Sequence, residues 1–295
     1  MTVSAVDPFI AHRSLLFTVA YEMLGSAADA EDVVQETWLR WAAMEEDARA
    51  EVVDPRAYLV RIVTRQALNR LRTLARRRED YVGEWLPEPL LTTPDVAEDV
   101  ELAESVSIAM LTVLETLTPT ERAVFVLREV FDLSYDEIGA AVDKTAAAVR
   151  QVAHRARSHV EARRPRVAVD RSEQQAVVER FLKAVTTGDV QGLMDVLAPD
   201  VVVIADGGGF ATASRVPIEG AKKVVAFLKN FPRVVPDAVV ETIWINGAPA
   251  ARLDLGSFGP TAISVQIEDG RITRIFTMRN PHKLERLDEP TPLQR

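Results

Sequence analysis

The sequence predicts a multidomain chain. Two all-α helical domains, the second a helix-turn-helix, precede an α+β domain with a curved antiparallel sheet. Three observations carry this. Apolar residues recur at i, i+3/i+4 spacing up to about residue 166, with capping sequences between the runs. An acidic, proline-containing stretch interrupts them between 81 and 105. From residue 239 onward the pattern becomes short strand-like runs separated by Asn-Gly and Asp-Gly.

In the first domain, residues 8–80, Leu15, Leu16, Val19, Ala20, Met23 and Leu24 form one apolar face, and Gly25 is a natural stop. A second helix starts after Ser26, with Asp29, Glu31 and Asp32 favouring its N-terminus, and carries Val33, Val34, Trp38 and Leu39. Asp54-Pro55 reads as an N-cap followed by proline at the first helical position. The helix behind it runs through Tyr58, Leu59, Ile62, Val63, Leu68 and Leu71 into an arginine-rich end.

The connector, residues 81–105, contains Trp85-Leu86-Pro87-Glu88-Pro89, which cannot be helical throughout. It reads either as a solvated acidic linker or, through its exposed Trp85, as a docking element for another domain. Residues 106–166 resume as helix. Thr118-Pro119-Thr120-Glu121 and Ser134-Tyr135-Asp136-Glu137 have capping-box spacing, and Leu133 and Ile138 are placed as a hydrophobic staple. A short helix over Tyr135–Val142, a tight Asp143-Lys144-Thr145 connection and a longer helix to about Ala162 make a helix-turn-helix. On the longer helix Arg150, His154 and Arg157 share one face, while Val149, Val152, Ala153 and Ala156 turn toward the scaffold. Arginine pairs with guanine O6 and N7, and glutamine with adenine, so the residue types suit a DNA groove.

In the last segment, 170–295, one helix carries Val177, Val178, Phe181, Leu182 and Val185. A second carries Leu193, Met194 and Leu197, and a third Val224, Val225, Phe227 and Leu228. Strands are expected over 239–245, 250–255, 261–267 and 272–278.

A length of 295 residues suits two or three domains, and 47% hydrophobic with 27% charged residues excludes wholesale disorder. No apolar run is long enough for a membrane span, and Met1-Thr2-Val3-Ser4 lacks a secretory signature. The absence of cysteine excludes disulfides and thiol catalysis and fits a cytoplasmic location. The four histidines, 12, 154, 159 and 282, form no ligand grouping, so neither metal nor cofactor is expected. The net charge is −9, but it is unevenly spread. Seven arginines and no acid lie between Arg61 and Arg78, and ten acids and no base between Glu79 and Glu115. Seven bases face one acid between Lys144 and Arg166. Two basic helical stretches therefore flank an acidic connector, a distribution suited to nucleic acid.

The run Asp29-Ala30-Glu31-Asp32-Val33-Val34-Gln35-Glu36-Thr37-Trp38-Leu39-Arg40 precedes Asp54-Pro55-Arg56-Ala57-Tyr58-Leu59. Leu117-Thr118-Pro119-Thr120-Glu121-Arg122 and Leu133-Ser134-Tyr135-Asp136-Glu137-Ile138-Gly139 follow. In that order, over about residues 8–166, they resemble the two characteristic regions of extracytoplasmic-function (group IV) bacterial RNA polymerase sigma factors. The resemblance implies that residues 8–80 are region 2, binding core polymerase and the −10 element, and 106–166 are region 4, binding the −35 element. By position it implies that Asp32, Gln35, Glu36 and Leu39 dock on the clamp helices of the largest polymerase subunit. It implies −10 contacts from Arg61, Arg65, Asn69 and Arg72, and capture of an unstacked base by the loop from Glu45 to Val53. It implies −35 contacts from Arg128, Lys144, Arg150, Gln151, His154 and Arg155. The chain departs from the family in carrying Arg65 and Asn69 where Asn and Asp are usual, and in having no aromatic residue in that loop.

The last segment, with Asp206-Gly207-Gly208-Gly209 and Pro217-Ile218-Glu219-Gly220, resembles the SnoaL-like branch of the NTF2-like cone fold. Together with Trp85–Pro89 and Asn280-Pro281-His282-Lys283-Leu284 it is similar to the sigma subfamily usually called ECF41, in which a fused SnoaL-like domain regulates the sigma factor. The resemblance implies control in cis, in place of a separate anti-sigma factor. The implied regulatory contacts are Trp85, Leu86, Pro87, Glu88 and Pro89 with Asp206, Gly207, Gly208, Gly209, Asn280, Pro281, Lys283 and Leu284. That subfamily often has Lys after the triple glycine and Asp before the final Lys-Leu; here these are Phe210 and His282. The cone leaves room for a small ligand, and no enzymatic activity is expected. The alternative is an NTF2-like enzyme or small-molecule sensor coupled to a helix-turn-helix, with Asp206 as general base in an apolar cavity.

Overall fold

The computed structural model describes residues 7–163 and 171–295, the side chains of 75–79 excepted. The initial Met1–Ser4, Arg164 and Arg166, the side chains of Arg76, Arg77 and Arg78, and the boundary expected between 166 and 170 lie outside the described residues. Helix α1 (Pro8–Leu24) opens with Asp7 Oδ1 accepting from Phe9 N at 2.8 Å and ends at Gly25, whose φ of 65° needs no Cβ to be strained. Helix α2 (Ala27–Ala42) is capped by Ser26 Oγ, which accepts from Asp29 N at 3.2 Å. A short α3 (Glu46–Ala50) lies within the segment expected as a loop from Glu45 to Val53. Helix α4 (Pro55–Glu79) begins where Asp54 Oδ1 accepts from Ala57 N at 2.9 Å.

The connector itself ends in a helix, α5 (Val100–Val106), so helix resumes earlier than the expected residue 106; α6 (Ile108–Leu114) and α7 (Pro119–Phe125) follow, the last continuing into a π-helical turn over Val126–Val130. The helix-turn-helix is α8 (Tyr135–Val142) and α9 (Ala146–Glu161). Thr118 with Glu121 and Ser134 with Glu137 form reciprocal capping boxes. The turn closes so tightly that a Cβ on Gly139 would lie 2.5 Å from Lys144 O.

By compactness the chain divides into two units. One gathers the chain up to Arg77, that from Val113 to Arg163, and the final Pro292–Arg295. The other gathers Arg78–Thr112 with Arg164–Thr291. In the first, α1 packs on α2 and α7 on α9, and Leu16, Tyr21, Trp41 and Leu59 are fully buried.

The second unit begins, after the connector, α5 and the start of α6, with α10 (Arg171–Thr187) and α11 (Val190–Val196). Then come β1 (Leu197–Asp206), β2 (Ile218–Glu219), α12 (Ala221–Leu228) and α13 (Phe231–Val234). The strands β3 (Val239–Ile245), β4 (Ala248–Asp254), β5 (Pro260–Glu268) and β6 (Arg271–Met278) follow, before α14 (Pro281–Leu284). Leu197, expected on a helix, instead opens β1. The sheet order is β2-β1-β6-β5-β4-β3, and β1 runs parallel to β6. The sheet is therefore mixed, which corrects the antiparallel expectation. Only the β3–β6 meander is tied by short turns that force antiparallel pairing, while β1 meets β6 across a long crossover.

Alternation along the strands gives this sheet two apolar faces. Val201 and Val203 of β1, with Ile272 and Ile275 of β6, pack against α10, α11 and α12. Ile204, Phe276 and Met278 face the other way, against Leu86, Ile108, Leu284 and Leu287. Among the described residues no helix is long and apolar enough to cross a membrane.

Candidate nucleic-acid interface and connector clamp

The residues expected to meet a protein partner share the exposed face of α2. Asp32, Gln35 and Glu36 are exposed, and Leu39 is 59% exposed, a large apolar side chain offered to solvent among acids. Asp32 is also fixed from below, because Arg70 of α4 reaches Asp29 at 2.6 Å and Asp32 at 2.7 Å. Hydrogen bonding to Asp29 outweighs burial and raises the Arg70 guanidinium further.

On α4, Arg61, Arg65, Asn69 and Arg72 follow one another at helical spacing, so they line one side of the helix. Arg61 lies over the Tyr58 ring at 5.2 Å and Arg72 Nη1 donates to Asn69 Oδ1 at 3.3 Å. Arg65 is engaged elsewhere: its Nη2 donates to the carbonyl of Ala140, on α8, at 2.8 Å. A groove of about 310 Å³ lies here, lined by Val53, Asp54, Tyr58 and Arg61 on one side and Leu133, Glu137 and Ala140 on the other.

The second candidate surface is α9. Arg150, Gln151, His154 and Arg155 are exposed, as is Lys144 in the turn, whereas Val149, Val152, Ala153 and Ala156 are buried. Three neighbouring arginines have anchors. Arg128 donates to Leu133 O at 2.9 Å and meets Asp132 at 3.1 Å. Arg155 lies 3.7 Å from Glu121. Arg157, expected on the groove-facing side, is instead held by both oxygens of Glu129, at 2.6 and 3.2 Å. Arg128 and Arg150 also converge on one ring, that of Tyr135, at 5.0 and 5.1 Å from its centroid.

One contact within this helical unit escaped the sequence. Arg122 of α7 is fully buried, donates through Nε to Glu22 O of α1 at 2.8 Å, and pairs with Glu115. Burial pulls its guanidinium down to about 9, so it remains charged at neutral pH and needs Glu115 to meet that charge.

The connector is no solvated linker. Leu86 through Leu90 are buried and Trp85 is half-buried, a correction to its expected exposure. The Asp206 carboxylate, fully buried at the end of β1, gathers the segment. Oδ1 accepts from the Tyr81 hydroxyl at 2.6 Å; Oδ2 accepts from Leu86 N at 2.9 Å and Lys283 Nζ at 2.7 Å. Lys283 also donates to Leu86 O at 2.5 Å and sits 4.1 Å from the Trp85 ring centroid, a cation capped by an aromatic face. Asn280 donates to the Tyr81 oxygen at 2.9 Å, and burial with the bond to Asp206 pushes the Tyr81 phenol well up. The glycines are required: a Cβ on Gly208, whose φ is 58°, would fall 2.3 Å from Asn280 Nδ2. Asp206 lies on the connector side of the sheet with Ile204, away from α10–α12, and both of its oxygens are taken up by Tyr81, Leu86 N and Lys283.

A second clamp uses Asn246, read from the sequence only as a turn residue. Its Oδ1 accepts from Leu90 N at 2.8 Å and its Nδ2 donates to Val106 O at 2.7 Å, while Thr92 bonds both Gly247 N and Trp244 O. Glu88 is buried 3.9 Å from Arg286, and Leu284 packs under Leu86. Pro281 starts α14. Tyr81 was likewise missed; its proximity to Trp85 in the chain was the available signal. The two departures from the subfamily pattern touch each other: Phe210 meets His282 edge-on, with centroids 4.6 Å apart. Among the described residues no group of three His, Asp or Glu could hold a metal ion.

Three family models match the chain: Sigma-70 region 2 over residues 9–77, Sigma-70 region 4 over 107–160, and a SnoaL-like domain over 178–275. The ECF RNA polymerase sigma factor SigJ of Mycobacterium tuberculosis (strain ATCC 25618 / H37Rv) is 33% identical over 306 residues, 97% of each chain. The probable ECF RNA polymerase sigma factor SigI of the same species (strain CDC 1551 / Oshkosh) is 30% identical over 281 residues, 94% of this chain and 93% of that one. The crystal structure of M. tuberculosis SigJ matches with a TM-score of 0.77 at 32% identity, covering 97% of this chain and 99% of that one.

Proposed function

This chain belongs to the extracytoplasmic-function RNA polymerase sigma factors, with a SnoaL-like domain fused behind its two sigma regions, and from that premise we propose how its parts divide the work of initiation. As a sigma factor it directs core polymerase to promoters, acting with polymerase in the cytoplasm. Residues 8–80 serve as region 2, with Asp32, Gln35, Glu36 and Leu39 on the core enzyme and Arg61, Arg65, Asn69 and Arg72 on the −10 strand. Residues 106–166 serve as region 4, with Arg128 and Lys144 on phosphates and Arg150, Gln151, His154 and Arg155 toward the −35 groove. The cone domain, 170–295, acts as a regulator rather than an enzyme, and a small ligand bound there would be an input to that regulation.

The observation that carries the regulatory reading is the fixing of the connector, 81–105, on the cone's sheet by Asp206 and Asn246. Elements centred 35 and 10 base pairs before the start lie about 85 Å apart at 3.4 Å per pair. The 35 residues from Arg78 to Thr112 could span about 120 Å if extended. Folded onto a sheet they lack that reach. Arg65 is at the same time occupied by α8, so region 2 meets −10 DNA fully only when it parts from region 4. Control in cis is therefore control of connector release.

In vitro transcription with core polymerase tests both levels. The chain truncated after Arg166 is expected to initiate, and Trp85→Ala and Asp206→Ala in the full chain to change transcription without changing affinity for a −35 duplex. Failure of every form to support initiation at any promoter overturns the reading. Unchanged transcription in both variants removes the cis control alone.

A further inference from the structure

Tyr135 is the first residue of α8, and the Ser134–Glu137 capping box fixes where its ring stands. Two guanidinium groups from different elements approach that ring: Arg128 from the π-helical turn at 5.0 Å and Arg150, the fifth residue of α9, at 5.1 Å. Arg128 is independently tied to Leu133 O and Asp132. Arg150 is exposed, and a free arginine side chain carries about 2 kcal/mol of rotamer entropy that bidentate recognition of a base would have to overcome. A ring face within 6 Å attracts a cation and narrows its choice of rotamers.

We infer that Tyr135 is the positioning residue for sequence reading by region 4: its ring pre-orders Arg150 for a base edge in the −35 groove and sets that arginine's register against Arg128 on the backbone. This rests on the placement of Arg150 in the groove. A pre-ordered reader loses less freedom on meeting the correct base, so the benefit falls on discrimination rather than on general attraction to phosphate. The aromatic face is the working part; the hydroxyl is not required.

The test uses holoenzyme assembled from the full chain and core polymerase, selecting from duplexes randomised across the −35 region. Arg150→Ala first identifies the base pair that arginine reads. Tyr135→Leu is expected to lower the preference at that same pair about five- to tenfold. The slope of log affinity against log salt on unselected duplex should change by less than one. Tyr135→Phe is expected to keep the wild-type preference. In an Arg150→Ala background Tyr135→Leu should add nothing, which a folding defect could not reproduce.

Wild-type preference in the leucine variant overturns the inference, as does equal loss in the leucine and phenylalanine variants. A loss that persists undiminished without Arg150 also overturns it. Should Arg150→Ala leave every base preference intact, the placement of Arg150 in the groove fails, and the role of Tyr135 with it.

Discussion

Phe210 and His282 put an aromatic contact where the resemblance implies two opposite charges. At positions where the resemblance leads one to expect a lysine and an aspartate, this chain has an aromatic edge contact between two largely exposed rings. An exposed ion pair contributes about 0–1 kcal/mol and an aromatic pair about 0.5–1.5 kcal/mol, so the exchange is close to neutral. Phe210→Lys and His282→Asp are each expected to destabilise the chain by about 1 kcal/mol, and the double variant to recover most of the loss. Urea unfolding of the four proteins measures this; strictly additive losses would show the positions to be uncoupled. Asp206 and Lys283 lie nearby in the same unit but are buried, and there one partner cannot be removed cheaply. A lone charge left on the connector side of the sheet has no solvent to turn to.

Among the elements, the helix-turn-helix depends most on local chemistry. Ser134 and Glu137 exchange hydrogen bonds at the start of α8, and those from Ser134, the side chain's first, hold the Glu137 carboxyl below its ordinary value of 4.5. Thr118 does the same for Glu121 on α7. Because the folded values lie below the unfolded ones, both groups contribute full stability above about pH 4.5 and lose it as pH falls through the folded values. Ser134→Ala is expected to cost about 1 kcal/mol at pH 7. Glu137→Gln should flatten the acid limb of the stability–pH curve, read as melting temperature between pH 3 and pH 7. An unchanged acid limb would show that the box contributes nothing in solution. The acids Glu121, Glu129 and Asp132 also pair with Arg155, Arg157 and Arg128, so the cationic face of region 4 is already partly neutralised by its own scaffold. That tempers attraction to arbitrary duplex.

On the scale of the molecule, the helices of regions 2 and 4 form one compact unit joined by a buried charge. Arg122 links α7 to α1 through Glu22 O and Glu115, and removing one member of such a set typically costs about 3–5 kcal/mol. Arg122→Met is therefore expected to loosen the two regions from each other. Spin labels at Gln35 and His154 would show a longer and broader distance distribution, and transcription from the full chain would rise. An unchanged distribution would show that other contacts suffice to hold the unit closed. The final residues join the same unit, Gln294 N donating to Thr18 Oγ1 at 3.0 Å.

The helices capped at Ser26, Asp54, Thr118 and Ser134, the turn at Asp143, the exposed face of α9 and the hairpin strands were legible in the sequence, whereas α3 and α5 were not. Each depends on groups within a few residues of one another, where spacing and side-chain chemistry decide the outcome. The mixed sheet, the Tyr81–Asp206 bond across 125 positions, the Asn246 clamp and the burial of Arg122 were not. A buried tyrosine or arginine has the same spelling as an exposed one, and only packing brings its distant partner into reach. What the sequence determined alone was therefore the kind of chain this is, two DNA-facing helical regions ahead of a cone domain. Which residues hold the connector, and which arginines stay exposed rather than paired within their unit, was decided by tertiary structure, because desolvation makes those contacts strong and desolvation belongs to the folded whole.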